Sequence, residues 1–292
     1  MGVGEWFSDF CGNLRIGADQ RSTIAGRTKR IVAQLNWDMR SLSSDSAYRF
    51  YVGSYGRGTA IPSVSDVDLL YEMPPSKHAQ YDQYIGNGQS ALLSEVRGSI
   101  LKTYPSTKIG GDGQVVVVEF ADGVKFEVLP SFQNQGGGYT FGDSNSGGSW
   151  KTCKPKQEMT AFAARNLDCN GNLAELARMA RAWRDANQVP MSGMLIDTLA
   201  YQFIDTWAHK TKSYLYYDFL ARDFFNFLTN LPSNQSYWLA PGSGSWVYGG
   251  GFHYKARQAE LRVLDAISYQ GHGHDWSAKN KYREVFGTAF PY

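Results

Sequence analysis

The chain has 292 residues, 42% of them apolar, 19% charged and 14% aromatic, with a formal net charge of +2. This length supports one large domain or two packed ones with a sizeable core, and the aromatic content excludes disorder over most of it. The charge balance excludes a polycationic or polyanionic protein but not a local basic groove.

The opening MGVGEWFSDF lacks a basic segment followed by a long apolar run, so no signal peptide is expected. Ser22 to Arg40 has apolar residues at helical spacing and predicts a helix capped by Ser22 or Thr23. Phe50–Val52 and Val67–Tyr71 predict short strands on either side of glycine turns. Ser90–Tyr104 predicts an amphipathic helix that stops before Pro105. Val115–Phe120 and Val124–Leu129 predict two strands joined as a tight hairpin by Ala121–Gly123. A long segment rich in glycine and serine, QNQGGGYTFGDSNSGGSW, then reads as loop. Helices are expected at Glu158–Leu167, Asn172–Asn187, Ser192–Lys210, Tyr214–Thr229, His253–Tyr269 and Ser277–Phe286. A second flexible segment, APGSGSWVYGGG, falls among them. The division expected is 1–150, a mixed α+β core with an N-terminal helix, and 151–292, a helical lobe. Cys11, Cys153 and Cys169 form no C-x-x-C pair and are odd in number, which argues against a disulfide framework or zinc ribbon. No stretch approaches the roughly 18 consecutive apolar residues of a membrane span. A soluble cytoplasmic protein without a membrane partner is expected.

Between Tyr51 and Pro74 the sequence reads YVGSYGRGTAIPSVSDVDLLYEMP. Residues two apart on a strand share a face, so Asp66 and Asp68 project together with Val67 on the other side. Two adjacent carboxylates repel unless a cation lies between them. Hard oxygen donors favour Mg²⁺ or Mn²⁺. Glu127 in KFEVLP is the leading third carboxylate, with Glu119 and Asp122 behind it. Gly53 and Ser54 end a strand with small residues, which lets a phosphate approach the backbone and supplies a hydroxyl. There is no G-x-G-x-x-G and no G-x-x-x-x-G-K-[ST], so Rossmann and P-loop readings are poor.

GSYGRGT, then DVD, then FEVLP resembles the nucleotidyltransferase superfamily with the DNA polymerase β type fold. ELARMARAWRDANQVPMSGMLIDTLAYQF, SWKTCKPKQE and the closing FGTAFPY narrow the resemblance to the bacterial cGAS/DncV-like nucleotidyltransferases, relatives of oligoadenylate synthetase. The resemblance implies an α+β fold, with a polymerase β-like core on a mixed sheet and a helical second lobe forming a cleft. It implies a cyclic oligonucleotide synthase that joins nucleoside triphosphates (NTPs) such as ATP or GTP into a cyclic di- or trinucleotide. Pyrophosphate is released, and the product serves antiphage signalling. It also implies two Mg²⁺ or Mn²⁺ ions on Asp66, Asp68 and Glu127. Gly53, Ser54, Arg178, Arg181 and Ser192 are the implied nucleotide-binding residues. A separate effector protein would read the product, and a regulatory or conjugating partner at the C-terminus fits the same pattern. Glu127 stands where the family usually has aspartate, and Gly193 where several relatives carry a base-stacking aromatic.

Competing readings define what the structure must decide. Arg184 reads as the wet face of a helix, and Arg57 as a surface charge. His272 and His274 read as a solvated turn, and Trp150 and Trp183 as core. The rival functions are a related transferase that modifies a drug, a protein or an RNA end, and a non-catalytic ligand sensor on the same fold.

Overall fold

The computed structural model describes residues 2–62 and 66–292. In chain order, α1 (Val3–Asn13) is followed by α2 (Ala18–Arg40), β1 (Arg49–Tyr51), the short α3 (Gly53–Gly56), β2 (Asp66–Glu72), α4 (Pro75–Asp82) and α5 (Gly88–Thr103). Five strands come next: β3 (Lys108–Asp112), β4 (Val115–Glu119), β5 (Lys125–Gln133), β6 (Tyr139–Asp143) and β7 (Ser149–Cys153). Helices α6 (Pro155–Asp168), α7 (Asn172–Asn187), α8 (Gly193–Thr206) and α9 (Tyr217–Asn230) precede the short strands β8 (Tyr237–Leu239) and β9 (Trp246–Tyr248). Helices α10 (His253–Gly271) and α11 (Asp275–Phe286) follow. The chain divides into two compact units. The described residues of 16–56 and 63–159 form an α/β unit; the described residues of 1–15, 57–62 and 160–292 form a helical unit.

In the α/β unit the sheet runs β1-β2-β5-β4-β3, and β6 extends from β5 and pairs with β7. Strands β2 and β5 are parallel and the other pairs antiparallel, so the sheet is mixed. Period-two alternation gives this sheet two chemically different faces. Val67, Leu69 and Tyr71 of β2, Phe126 and Val128 of β5, and Val116 and Val118 of β4 point into the core. They meet Ile31, Val32, Leu35 and Met39 of α2 and Leu92, Val96 and Ile100 of α5. On α2 these residues recur three to four apart, which gathers them into one stripe. Burying each large aliphatic side chain contributes about 1.5–3 kcal/mol. The buried Asn36 closes the helix end by donating to the carbonyls of Ser44 and Ala47, and it accepts from the Tyr71 hydroxyl. The segment rich in glycine and serine is not one loop. Its Tyr139–Asp143 stretch pairs with β5, and Ser149–Cys153 pairs with Tyr139–Asp143. Backbone pairing and the burial of Tyr139 and Phe141 outweigh the glycine content there.

The helical unit is built around aromatic packing. Phe7 of α1 lies 5.1 Å from the Tyr282 ring and 5.3 Å from Phe290, both edge-on, and Phe10 lies 4.8 Å from Phe286. Such pairs add about 0.5–1.5 kcal/mol each beyond their area. This departs from the division expected at residue 150. The first helix belongs with the C-terminal helices because Trp6, Phe7, Phe10 and Cys11 form an apolar face that they bury. Trp183 is core, as expected, edge-on to Phe225. The second segment read as flexible contains β9, which pairs as a hairpin with β8 just before the segment, with Trp238 and Val247 buried. No helix among the described residues is long and apolar enough to cross a membrane.

Candidate active site

On β2 the alternation places Val67 in the core and leaves Asp66 and Asp68 on the opposite face. The parallel register sets Asp66 beside Lys125 and Asp68 beside Glu127. Paired residues in register share a face, so the three predicted carboxylates lie together. The Lys125 ammonium sits between two of them, 3.1 Å from Asp66 Oδ1 and 2.9 Å from Glu127 Oε1. Glu127, and then Asp66, hold the Lys125 pKa above its ordinary value despite partial burial. Glu119 and Asp122 are not part of this group. Glu119 pairs with Lys108 at 2.8 Å, and Asp122 accepts a two-pronged bond from Arg27 at 2.9 Å.

Gly53 brings the phosphate-type turn to the same carboxylates. Its φ is +60°, in the region that favours glycine, and a Cβ built on it would lie 1.8 Å from Asp68 Oδ2. The Asp68 carboxylate therefore occupies the space that any side chain at position 53 would need. Val52 ties the turn to the strand by donating its N–H to the Asp68 carbonyl at 2.9 Å. Ser54 follows within the one-turn helix α3.

The donor set suits a hard divalent cation, because Asp66, Asp68 and Glu127 offer only carboxylate oxygens. Among the described residues no cluster of three or more carboxylates, histidines or cysteines is drawn together tightly enough to enclose an ion. Lys125 bridges two members of the set instead, so it must release them for both to bind a metal.

In the helical unit the predicted residues are arranged differently from expectation. Arg181 does not face a phosphate site. It is 1% exposed, and both its terminal nitrogens are engaged. One donates to Asp197 Oδ1 at 2.6 Å, and the other to Asp197 Oδ2 at 2.9 Å and to the Gly193 carbonyl. Arg178 pairs with the buried Glu175 at 2.9 Å and donates to the Gly58 carbonyl. The three-residue spacing placed both arginines on one face correctly, but α7 is buried around most of its circumference, so that face is interior. Arg184 bonds its neighbour Asp185 at the surface. Ser192 is exposed and caps α8, its hydroxyl accepting from the Leu195 N–H at 3.1 Å. Arg57, read as a surface charge, is buried and pairs with Asp197 at 2.8 Å.

Asp197 and Thr59 were not singled out from the sequence, whereas Lys125 was read there as a possible ion-pair partner of Glu127. Asp197 had a legible signal, because a lone acid within the apolar run GMLIDTLA must find a cation if that face is buried.

A mixed sheet carrying paired aspartates and an in-register glutamate beside a glycine-serine turn defines a nucleotidyltransferase. Residues 1–166 match the Second Messenger Oligonucleotide or Dinucleotide Synthetase (SMODS) domain. The chain belongs to that family, the cGAS/DncV-like synthases of oligonucleotide second messengers. No curated protein matches the sequence. Among solved structures, CdnC of Escherichia coli MS115-1 in a complex with HORMA-deltaN is similar at a TM-score of 0.71 and 14% identity, over 99% of this chain and 98% of that one. DncV cyclic AMP-GMP synthase of Vibrio cholerae gives a TM-score of 0.71 at 13% identity, over 100% and 98% of the two chains. CdnG of Bradyrhizobium diazoefficiens, solved with GTP, gives 0.71 at 9% identity, over 98% and 95%. At these identities the likeness is one of fold.

Proposed function

We propose that the chain joins nucleoside triphosphates, ATP or GTP among them, into a cyclic di- or trinucleotide with release of pyrophosphate. In each step an acceptor hydroxyl attacks the α-phosphorus of the donor, the new phosphodiester forms and pyrophosphate leaves. The observation that carries this reading is the packing of Asp68 against Gly53, with Glu127 opposite it in register. Gly53 keeps the turn free of side chain, and the Ser54 hydroxyl would donate to a phosphate oxygen. Asp66, Asp68 and Glu127 would hold Mg²⁺ or Mn²⁺, two ions by the logic of such sites. When bound, these ions acidify an attacking hydroxyl and offset the charge of the leaving phosphates. Lys125 would hold Asp66 and Glu127 in place until the metal ions displace it.

The product would act as a second messenger in antiphage defence, read by a separate effector. The complex of CdnC with HORMA-deltaN supports a regulatory partner for this chain as well. The test is incubation of the purified protein with all four NTPs and Mg²⁺ or Mn²⁺, with products resolved by chromatography and mass spectrometry. Cyclic products that vanish in the Asp66→Asn, Asp68→Asn double variant are expected. Products that appear only when a drug, protein or RNA acceptor is added would replace this reading with the rival transferase.

A further inference from the structure

Lys125 reaches the acidic face of the sheet by the same strand pairing that gathers the acids. The parallel register sets it beside Asp66, and it lies two residues before Glu127, so its side chain leaves the sheet on their side. Its ammonium is 3.1 Å from Asp66 Oδ1 and 2.9 Å from Glu127 Oε1. All of these residues lie within the α/β unit.

Stability alone does not account for this contact. The side chains of Lys125, Asp66 and Glu127 are 30%, 42% and 26% exposed, and ion pairs at that exposure add little to a fold. What the contact does is occupy carboxylate oxygens. Carboxylates crowded on one face repel unless a cation lies among them, and Lys125 is a cation that the chain itself supplies. A free divalent ion that enters between Asp66 and Glu127 must displace a tethered ammonium. The displaced group is a compact point charge on a flexible four-carbon stem, so it can follow a nearby anion. The donor triphosphate is that anion, because its oxygens share the ions that the carboxylates hold.

We infer that Lys125 makes metal uptake depend on the donor: it stands in for an ion between Asp66 and Glu127 in the free protein, and its ammonium passes to the triphosphate when ion and nucleotide arrive together. This rests on the proposed role of Asp66, Asp68 and Glu127 in holding metal.

Removing the ammonium therefore has two effects of opposite sign. It opens the carboxylates to free metal, and it takes a cation away from the donor. The test measures both on the full chain, with folding checked by circular dichroism. Mn²⁺ binding without nucleotide is followed by electron paramagnetic resonance, and Lys125→Met should bind Mn²⁺ about tenfold more tightly than the native chain. The affinity for non-hydrolysable ATP and GTP analogues at saturating Mn²⁺ is measured by calorimetry, and Lys125→Met should weaken both about five- to tenfold. Lys125→Arg keeps the charge and should stay within about twofold of the native chain for Mn²⁺. Lys125→Gln carries the test if Lys125→Met does not fold. Unchanged or weaker Mn²⁺ binding in the neutral variants would make Lys125 a structural partner of the carboxylates and overturn the inference. Tighter Mn²⁺ binding with unchanged analogue affinity would send the ammonium to solvent and overturn it as well. If Asp66→Asn leaves Mn²⁺ binding as it is in the native chain, it is the reading of the metal site that fails, and this control shows it separately.

Discussion

Gly53 is where the backbone and the carboxylates constrain one another most tightly. Gly53→Ala would put a methyl group 1.8 Å from Asp68 Oδ2 at a positive φ, so the turn or the carboxylate must move. A displacement of about 1 Å at a reacting centre costs on the order of a hundredfold in rate. The expected result is loss of turnover on that scale with the far-ultraviolet spectrum retained, measured by pyrophosphate release and circular dichroism. At Glu127 the charge should matter more than the extra methylene. Glu127→Gln should slow product formation at least about tenfold and Glu127→Asp should retain activity. Wild-type turnover in Glu127→Gln would leave Asp66 and Asp68 as the only working carboxylates. Arg181 now predicts a stability effect. Arg181→Ala strips the bidentate partner from a fully buried carboxylate and should cost about 3–5 kcal/mol, whereas Arg184→Ala should stay within about 0.5 kcal/mol. Denaturant titration separates the two. The sign of the pH dependence follows from Asp197. Its folded pKa is depressed, so its contribution is present above its unfolded pKa of about 4 and is lost as pH falls through the folded value. Asp197→Asn should therefore flatten the acid limb of the stability curve.

The elements were legible in the sequence to different degrees, and the reason is where each gets its stability. Helix α7 has the bounds its periodicity predicts, Asn172–Asn187, and α5 differs by two residues at its start. Asp66 and Asp68 were legible for the same reason, since a period of two fixes the face of a strand regardless of what surrounds it. Strands β6 to β9 were hidden among glycines. Their stability comes from backbone pairing between consecutive strands, as when Tyr139 sits opposite Gln133 and Cys153, which side-chain periodicity does not report. Arg178 and Arg181 show the limit of periodicity. Spacing says that two side chains share a face, but whether that face meets water is decided by α8 and by residues 57–59. Helix α1 carried the signal of a buried face, with Trp6, Phe7, Phe10 and Cys11 on one side, but its partners lie at the other end of the chain.

The two units are therefore interleaved in sequence, which has a practical consequence for dissecting them. A fragment of residues 160–292 lacks Phe7 and Phe10, which pack on Tyr282, Phe286 and Phe290. It should melt lower than the same fragment supplemented with a peptide of residues 1–15, as measured by thermal denaturation. Identical melting curves with and without the peptide would show that α1 is dispensable to the helical unit.

The strap after the phosphate turn also imposes an order on biosynthesis. Arg57 and Asp197 are 140 residues apart. At bacterial translation speeds of about 5–20 residues per second, Arg57 waits roughly 7–28 seconds on the ribosome before its partner is made. The α/β half, with Asp66, Asp68 and Glu127, emerges first, and Arg57 spends that interval without its carboxylate partner. A chain terminated before Asp197 should thus leave Arg57 without the acceptor that holds it in the folded helical unit.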